Sequence, residues 1–366
     1  MIARRLTTFA AALLVGFSPI PALADDPANY LFAISSQHAE AVIIDTSSDK
    51  LVDRILLPNV PSDIAALSRG RYLVVADKKA GQLRIIDVTA GRLERSIDVP
   101  LKPDILRTDR TGTILAALDT DNGRIALGTA QSSEFRLVPN LTGVTYVVFD
   151  AKGRVLAAHP AGVAIVDATG RRVGELPVET ANGPVTDVAT DSGGQFAFVE
   201  QPTTGVLSVF DLHHGTREIV LHLPGPLGRV VPSLDSQFVL VPIAGKSIAS
   251  ISMWTLEEKA RIHLDLNPDG VGLAFLQSIA VVTSRSDRKV LLFDLSRERV
   301  NGEVRLPSPP GAGIPSNDGT RFYVALPDTG QIASVNVITG QLDRFIDNVG
   351  IGVQTILPAT SEGYCH

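Results

Sequence analysis

Cysteine is almost absent: Cys365 is the single one in 366 residues. No internal disulfide can form, so stability has to come from packing, although an exported compartment would permit disulfides. Long apolar runs are missing as well, and no segment approaches the roughly 20 residues that a membrane-spanning helix needs. Catalytic signatures are missing too. The chain holds no G-x-S-x-G elbow, no P-loop, no H-E-x-x-H and no G-x-G-x-x-G between a strand and a helix, which leaves hydrolase, nucleotide and zincin readings without support.

The N-terminus carries Arg4 and Arg5, an apolar stretch from Phe9 to Phe17, Pro19 and Pro21, and then Ala22-Leu23-Ala24. A basic start, a short apolar middle and small residues before a cleavage point read as a secretory signal over residues 1–24. The expected mature chain begins at Asp25 and is located in the periplasm. It keeps 31 basic against 39 acidic side chains, a net charge of -8. Such a balance argues against nucleic acid or an anionic membrane as partner. At 45% hydrophobic residues the chain can bury a large core.

A repeat then organises everything that follows. Apolar runs begin at Tyr30, Tyr72, Ile114, Val155, Phe196, Phe238, Ile279 and Phe322, in steps of 41 to 43 residues. Each copy continues with a second apolar strand closed by a turn residue. Asp45, Asp87, Asp167, Asp211 and Asp294 fall in one column, followed by turn chemistry such as Thr89-Ala90-Gly91 and Thr169-Gly170. A carboxylate that accepts from the next backbone N–H groups, beside a glycine free to take positive φ, is what a hairpin needs. A third, alternating strand follows, as in RLERSIDVP, then a Pro/Gly break, then a fourth strand ending in turns such as Asp109-Arg110-Thr111-Gly112.

Four strands per repeat of about 42 residues are one blade of an all-β β-propeller, here eight blades, with seven as the alternative count. The window Thr255 to Leu264 has local helical character, yet it aligns with the turn and third strand of the other copies. It is therefore expected to be a strand. The end copies are as apolar as the middle ones, which favours a closed ring over a solenoid with polar caps. Residues 353–360 read as a fourth-type strand and are expected to complete the first blade. One propeller domain over residues 25–360 and a flexible tail over 361–366 follow.

These units resemble the YVTN-type propeller repeat of exported prokaryotic proteins, whose consensus runs through "V-x-V-I-D-T" to "P-x-G-V-A-V-S-P-D-G". The stretch VIIDTSSDKLVDRILLPNVPSDIAALSRG, from Val42 to Gly70, matches it best. Asn317-Asp318-Gly319 preserves the terminal turn, whereas copy three has Gly128 in place of the aspartate. The eight-bladed plan is similar to the haem-d1-binding domain of cytochrome cd1 nitrite reductases and its relatives. That resemblance implies a haem d1-like tetrapyrrole as cofactor, although the catalytic histidines of those proteins match no motif here.

In a propeller, the loops joining the first and second apolar strands share one rim with the loops that enter the fourth strand, and ligand sites gather there. That rim is expected to carry His38, Lys102, His159, Glu200, Arg229, Lys246 and Arg285. Two imidazoles, His38 and His159, could hold a metal or a tetrapyrrole iron, with Lys102, Arg229 or Lys246 pairing its carboxylates. No metal spacing supports the histidine pair, and each also fits an ordinary solvated loop histidine. Cys365 and His366 could ligate copper or zinc, or simply end the chain. Asp119 and Asp121 resemble part of a calcium loop, but the further ligands are missing and a β-turn accounts for them.

Three functions follow as expectations. The first is an exported, non-catalytic propeller that binds a small molecule or a periplasmic protein partner at the channel mouth. The second is a tetrapyrrole-binding or redox accessory protein. The third, a lactonase-like metal-dependent hydrolase, needs a carboxylate cluster around a divalent ion at the channel.

Overall fold

The computed structural model describes residues 27–131 and 134–360. The leader expected over residues 1–24 and the tail holding Cys365 and His366 lie outside them. Eight four-stranded antiparallel sheets form the structure, and each is one blade. The second strands out from the axis are Tyr30–Ser35, Tyr72–Asp77, Ile114–Asp119, Val155–His159, Phe196–Gln201, Phe238–Ile243, Ile279–Ser284 and Arg321–Leu326. Seven start where the sequence pattern starts, and the eighth begins one residue earlier. These strands are buried on both faces, which is why they read as continuous apolar runs rather than alternating ones. Outer strands such as Arg92–Asp98 alternate between wet and packed sides.

The window from Thr255 forms the outer strand Glu258–His263 of its blade, as expected. Among the described residues the helices are three single 3-10 turns, and no helix is long and apolar enough to cross a membrane. The aspartate column does its turn work. Asp45 accepts from the backbone N–H of Ser47 at 2.8 Å, Asp167 from Thr169 at 3.0 Å and Asp294 from Arg297 at 2.9 Å. Where copy three has Gly128, the ring of Phe135 packs in the place a side chain would take, and the outer strand shrinks to Arg136–Leu137.

Apolar side chains gather in eight clusters, each shared between two neighbouring blades. A blade therefore has no core of its own, and the ring is held by blade-to-blade packing. Closure uses the C-terminal strand Val353–Pro358, which pairs antiparallel with Tyr30–Ser35. A polar latch adds to it. Asp49 in blade 1 is buried, and its two carboxylate oxygens accept from Tyr323 Oη and Ser334 Oγ of blade 8, both at 2.8 Å. Burial and the Asp49 charge keep the Tyr323 phenol protonated, and so a donor. Asp49→Asn places an amide against two donors and is expected to cost about 2 kcal/mol, read as a lower urea midpoint with unchanged slope.

Candidate functional site

Antiparallel connection places the loops between second and third strands on the same face as the loops that enter each innermost strand. The central channel opens there, and a cavity of about 710 Å³ runs down it. Its wall comes from the innermost strands, including Asp63–Leu67, Ile105–Thr108, Tyr146–Phe149 and Val231–Pro232.

A chain of charged groups crosses five consecutive blades at this end. Asp63, first residue of its strand, accepts from Arg107 Nη1 at 3.0 Å and from the Leu106 N–H at 2.9 Å. Arg107 also donates to the phenol oxygen of Tyr146, from Nη2 at 2.8 Å. Arg229, in the loop entering blade 6, donates to the same oxygen. The two guanidinium carbons stand 5.1 Å and 4.5 Å from the Tyr146 ring centre, so both cations contact the ring. Arg229 is held further by Asp187 at 3.5 Å. Asp187 in turn faces Glu200 across the strand pair of blade 5. Glu200 accepts from the Val230 N–H at 3.1 Å, next to Arg229.

Burial sets the electrostatics. Glu200 is 2% exposed, and loss of solvent, reinforced by the Asp187 charge, pushes its carboxyl up to about 8. Burial also raises Asp187 and Asp63, against the pull of Arg229 and Arg107 respectively. The Tyr146 phenol is raised by burial as well. Arg107 is 17% exposed and committed to Asp63 and Tyr146, whereas the Arg229 side chain keeps 41% of its surface open. Arg229 is thus a cation fixed in direction by stacking and pairing, yet accessible from the cavity that it lines. Such a group recognises an anion. No His, Cys, Lys or Met lines the cavity among the described residues.

The other residues singled out on the rim sit apart from this cluster. His159 reaches outward across its blade to Glu175, with Nε2 2.8 Å from Oε1. His38 is exposed and lies beside Gly350. Lys102, Lys246 and Arg285 are exposed loop residues. Their described hydrogen bonds are those of the backbone: the Lys102 N–H to Asp119, the Leu264 N–H to the Lys246 carbonyl, and the Arg285 N–H to Asp269. No described contact joins His38 to His159.

Asp119 and Asp121 do belong to a turn, and with Asp104 they are the one metal-sized acidic group among the described residues. The Lys78 ammonium stands among them, 2.6 Å from Asp104 and 2.8 Å from Asp121, and offsets part of their charge. Sequence reading reached Glu200 and Arg229 but missed Asp63, Arg107, Tyr146 and Asp187. Those four lie on innermost strands. The available signal was a charged residue inside a short apolar strand, as in DILRTD around Arg107.

Solved structures share the backbone. Dihydro-heme d1 dehydrogenase NirN, in complex with DHE, aligns with a TM-score of 0.79 at 15% identity, covering 93% of this chain and 77% of that one. AztD from Citrobacter koseri aligns at 0.65 and 14% identity, covering 89% and 96%. Kuenenia stuttgartiensis hydrazine synthase aligns at 0.57 and 15% identity, covering 85% and 93%. No protein-family model and no curated protein matches the chain. Identities this low establish fold and nothing finer. The chain is accordingly an eight-bladed β-propeller, closed between its first and last strands and similar in backbone to NirN over almost its whole described length.

Proposed function

We propose that the chain is an exported binding propeller that takes a carboxylate-bearing small molecule into the mouth of its central channel, with Arg229 as the anion contact. One observation carries this reading: a guanidinium that is stacked, paired and still open lines a cavity of about 710 Å³. That volume lies in the range of small-molecule sites, and convergent polar groups with displaced pKa values mark such sites. Export rests on the basic and apolar leader over residues 1–24. In this reading Lys102, Lys246, Arg285 and His38 are exposed rim residues on the same face, whereas His159 is turned away to Glu175.

The test starts from protein recovered from the periplasmic fraction, with its small molecules released by denaturation and identified by mass spectrometry. The recovered acid is then titrated into the wild type and Arg229→Gln. Loss of one charge-assisted hydrogen bond should weaken binding by about 10- to 100-fold. Equal affinity in the two proteins, or no acid recovered, would remove the basis of the reading.

A tetrapyrrole of the haem d1 type is the second reading, favoured by the backbone likeness to NirN, which was solved with DHE. The cavity fits the carboxylates of such a group through Arg229 and does not fit its metal. The lining offers no imidazole, thiolate or thioether, and the nearby Tyr146 oxygen is engaged by two guanidiniums. Absence of a Soret band in protein purified from its own host would end this second reading and leave the first standing. The lactonase-like reading loses ground for another reason: its carboxylates already hold Lys78.

A further inference from the structure

We infer that the channel takes an elongated ligand with an acidic group at each end. The inference rests on the carboxylate reading above and goes beyond it, because it needs a second anion site at the far mouth. The cavity lined by Arg229 is also lined by Arg69 and Arg110. These two belong to the turns that follow the innermost strands of blades 2 and 3, so they stand at the opposite end of the channel from Arg229.

Both are exposed, and neither has an ion-pair partner among the described residues. Asp109 is buried and accepts from the N–H groups of Thr113 and Ile114 in its own turn. Gly70, at φ +83°, lets the Arg69 turn press against Ala359, whose Cβ lies 2.4 Å from where a side chain would start. That contact seats the turn against residues which themselves line the channel. Between the two ends the wall is mixed, with Thr108, Thr190, Ser233 and Thr355 beside aliphatic residues that belong mainly to the blade-to-blade clusters.

A channel with a cation at each end selects by chemistry. A monocarboxylate satisfies one end and leaves the other cation without a ligand anion. A neutral apolar chain satisfies neither. A dianion with its charges at the two termini satisfies both.

The probes are straight-chain α,ω-dicarboxylic acids of increasing length, each compared with the monocarboxylic acid of the same length by titration calorimetry on the full chain. At the best length the dicarboxylic acid should bind at least about tenfold more tightly than its monocarboxylic partner. The double variant Arg69→Gln/Arg110→Gln should remove that preference and leave monocarboxylate binding unchanged. Arg229→Gln should weaken both acids. Both lower-mouth residues are exposed and unpaired, so the double variant should keep the wild-type melting temperature, which confirms that it is folded. Equal affinity for the two acids, with Arg229→Gln still weakening both, overturns the two-ended ligand and leaves the carboxylate reading intact. A preference that survives the double variant also overturns it. Binding of neither acid overturns both.

Discussion

Deleting residues 353–360 is expected to leave a chain that no longer unfolds in a single cooperative transition. The strand Val353–Pro358 pairs with Leu31 to Ser35 of the first strand, and its Val353, Ile356 and Leu357 enter the clusters on both sides of blade 1. Burying three such side chains contributes roughly 5–9 kcal/mol, against a total stability of about 5–15 kcal/mol for a folded domain. An open repeat array would lose only its last unit and keep the rest folded, because each unit there needs only its neighbours. Here the loss strips one strand from the first blade and exposes the edge of Tyr30–Ser35. That edge is apolar and fully buried in the intact ring, so the truncated chain should also associate. Circular dichroism in urea and size-exclusion chromatography read the two effects. A midpoint and slope equal to those of the full chain would show that the ring does not depend on this closure.

The second large effect concerns pH. Glu200 has an ordinary carboxyl pKa near 4.5 when unfolded and about 8 when folded, because burial and the neighbouring Asp187 oppose its charge. Between those values the folded chain holds a proton that the unfolded chain has released. Stability therefore falls as pH rises from 4.5 towards 8, by up to about 1.4 kcal/mol per pH unit, and the loss is complete above 8. Glu200→Gln keeps a carbonyl oxygen for the Val230 N–H and carries no ionisable proton. The variant should match the wild type near pH 5 and be clearly more stable at pH 8, as read from urea midpoints. Asp63 titrates in both proteins, whereas Asp187 faces Glu200 and shares its field, so the difference between the two curves reports this carboxyl pair. Parallel curves would mean that Glu200 ionises as it does in water. The same carboxyl bears on ligand binding. Once charged, it becomes a second anion beside Arg229, so wild-type affinity for a carboxylate should decline above pH 8 while Glu200→Gln retains it.

Blade number, strand order and even strand starts could be read from the chain because a blade is a local object. Its four strands are consecutive, and the turns between them are written in residues such as Asp45, Asp167 and Gly170 whose chemistry acts over a few positions. The one-residue offset at Arg321 arises because a charged residue opens that strand, and an apolar pattern does not mark it. The latch through Asp49 was out of reach. It joins Asp49 to Tyr323 and Ser334, residues from opposite ends of the chain that meet only when the ring closes.

The site divides along the same line. Glu200 and Arg229 were visible as rim residues, since loop position follows from the repeat. That Arg229 stacks on Tyr146 and that Arg107 is engaged by Asp63 depend on how far each innermost strand is rotated about the channel. His159 shows the converse. The repeat put it on the correct face, but side-chain direction turned it outward to Glu175.

By itself the sequence determined the class of fold, its eightfold count and the strand that closes it, because apolar periodicity and turn chemistry are properties of neighbouring residues. Only the tertiary structure decided which charges meet at the channel. Asp63, Arg107, Tyr146, Asp187 and Arg229 come from five blades spread over more than 160 residues, and their pairing exists only once the blades pack around a common axis.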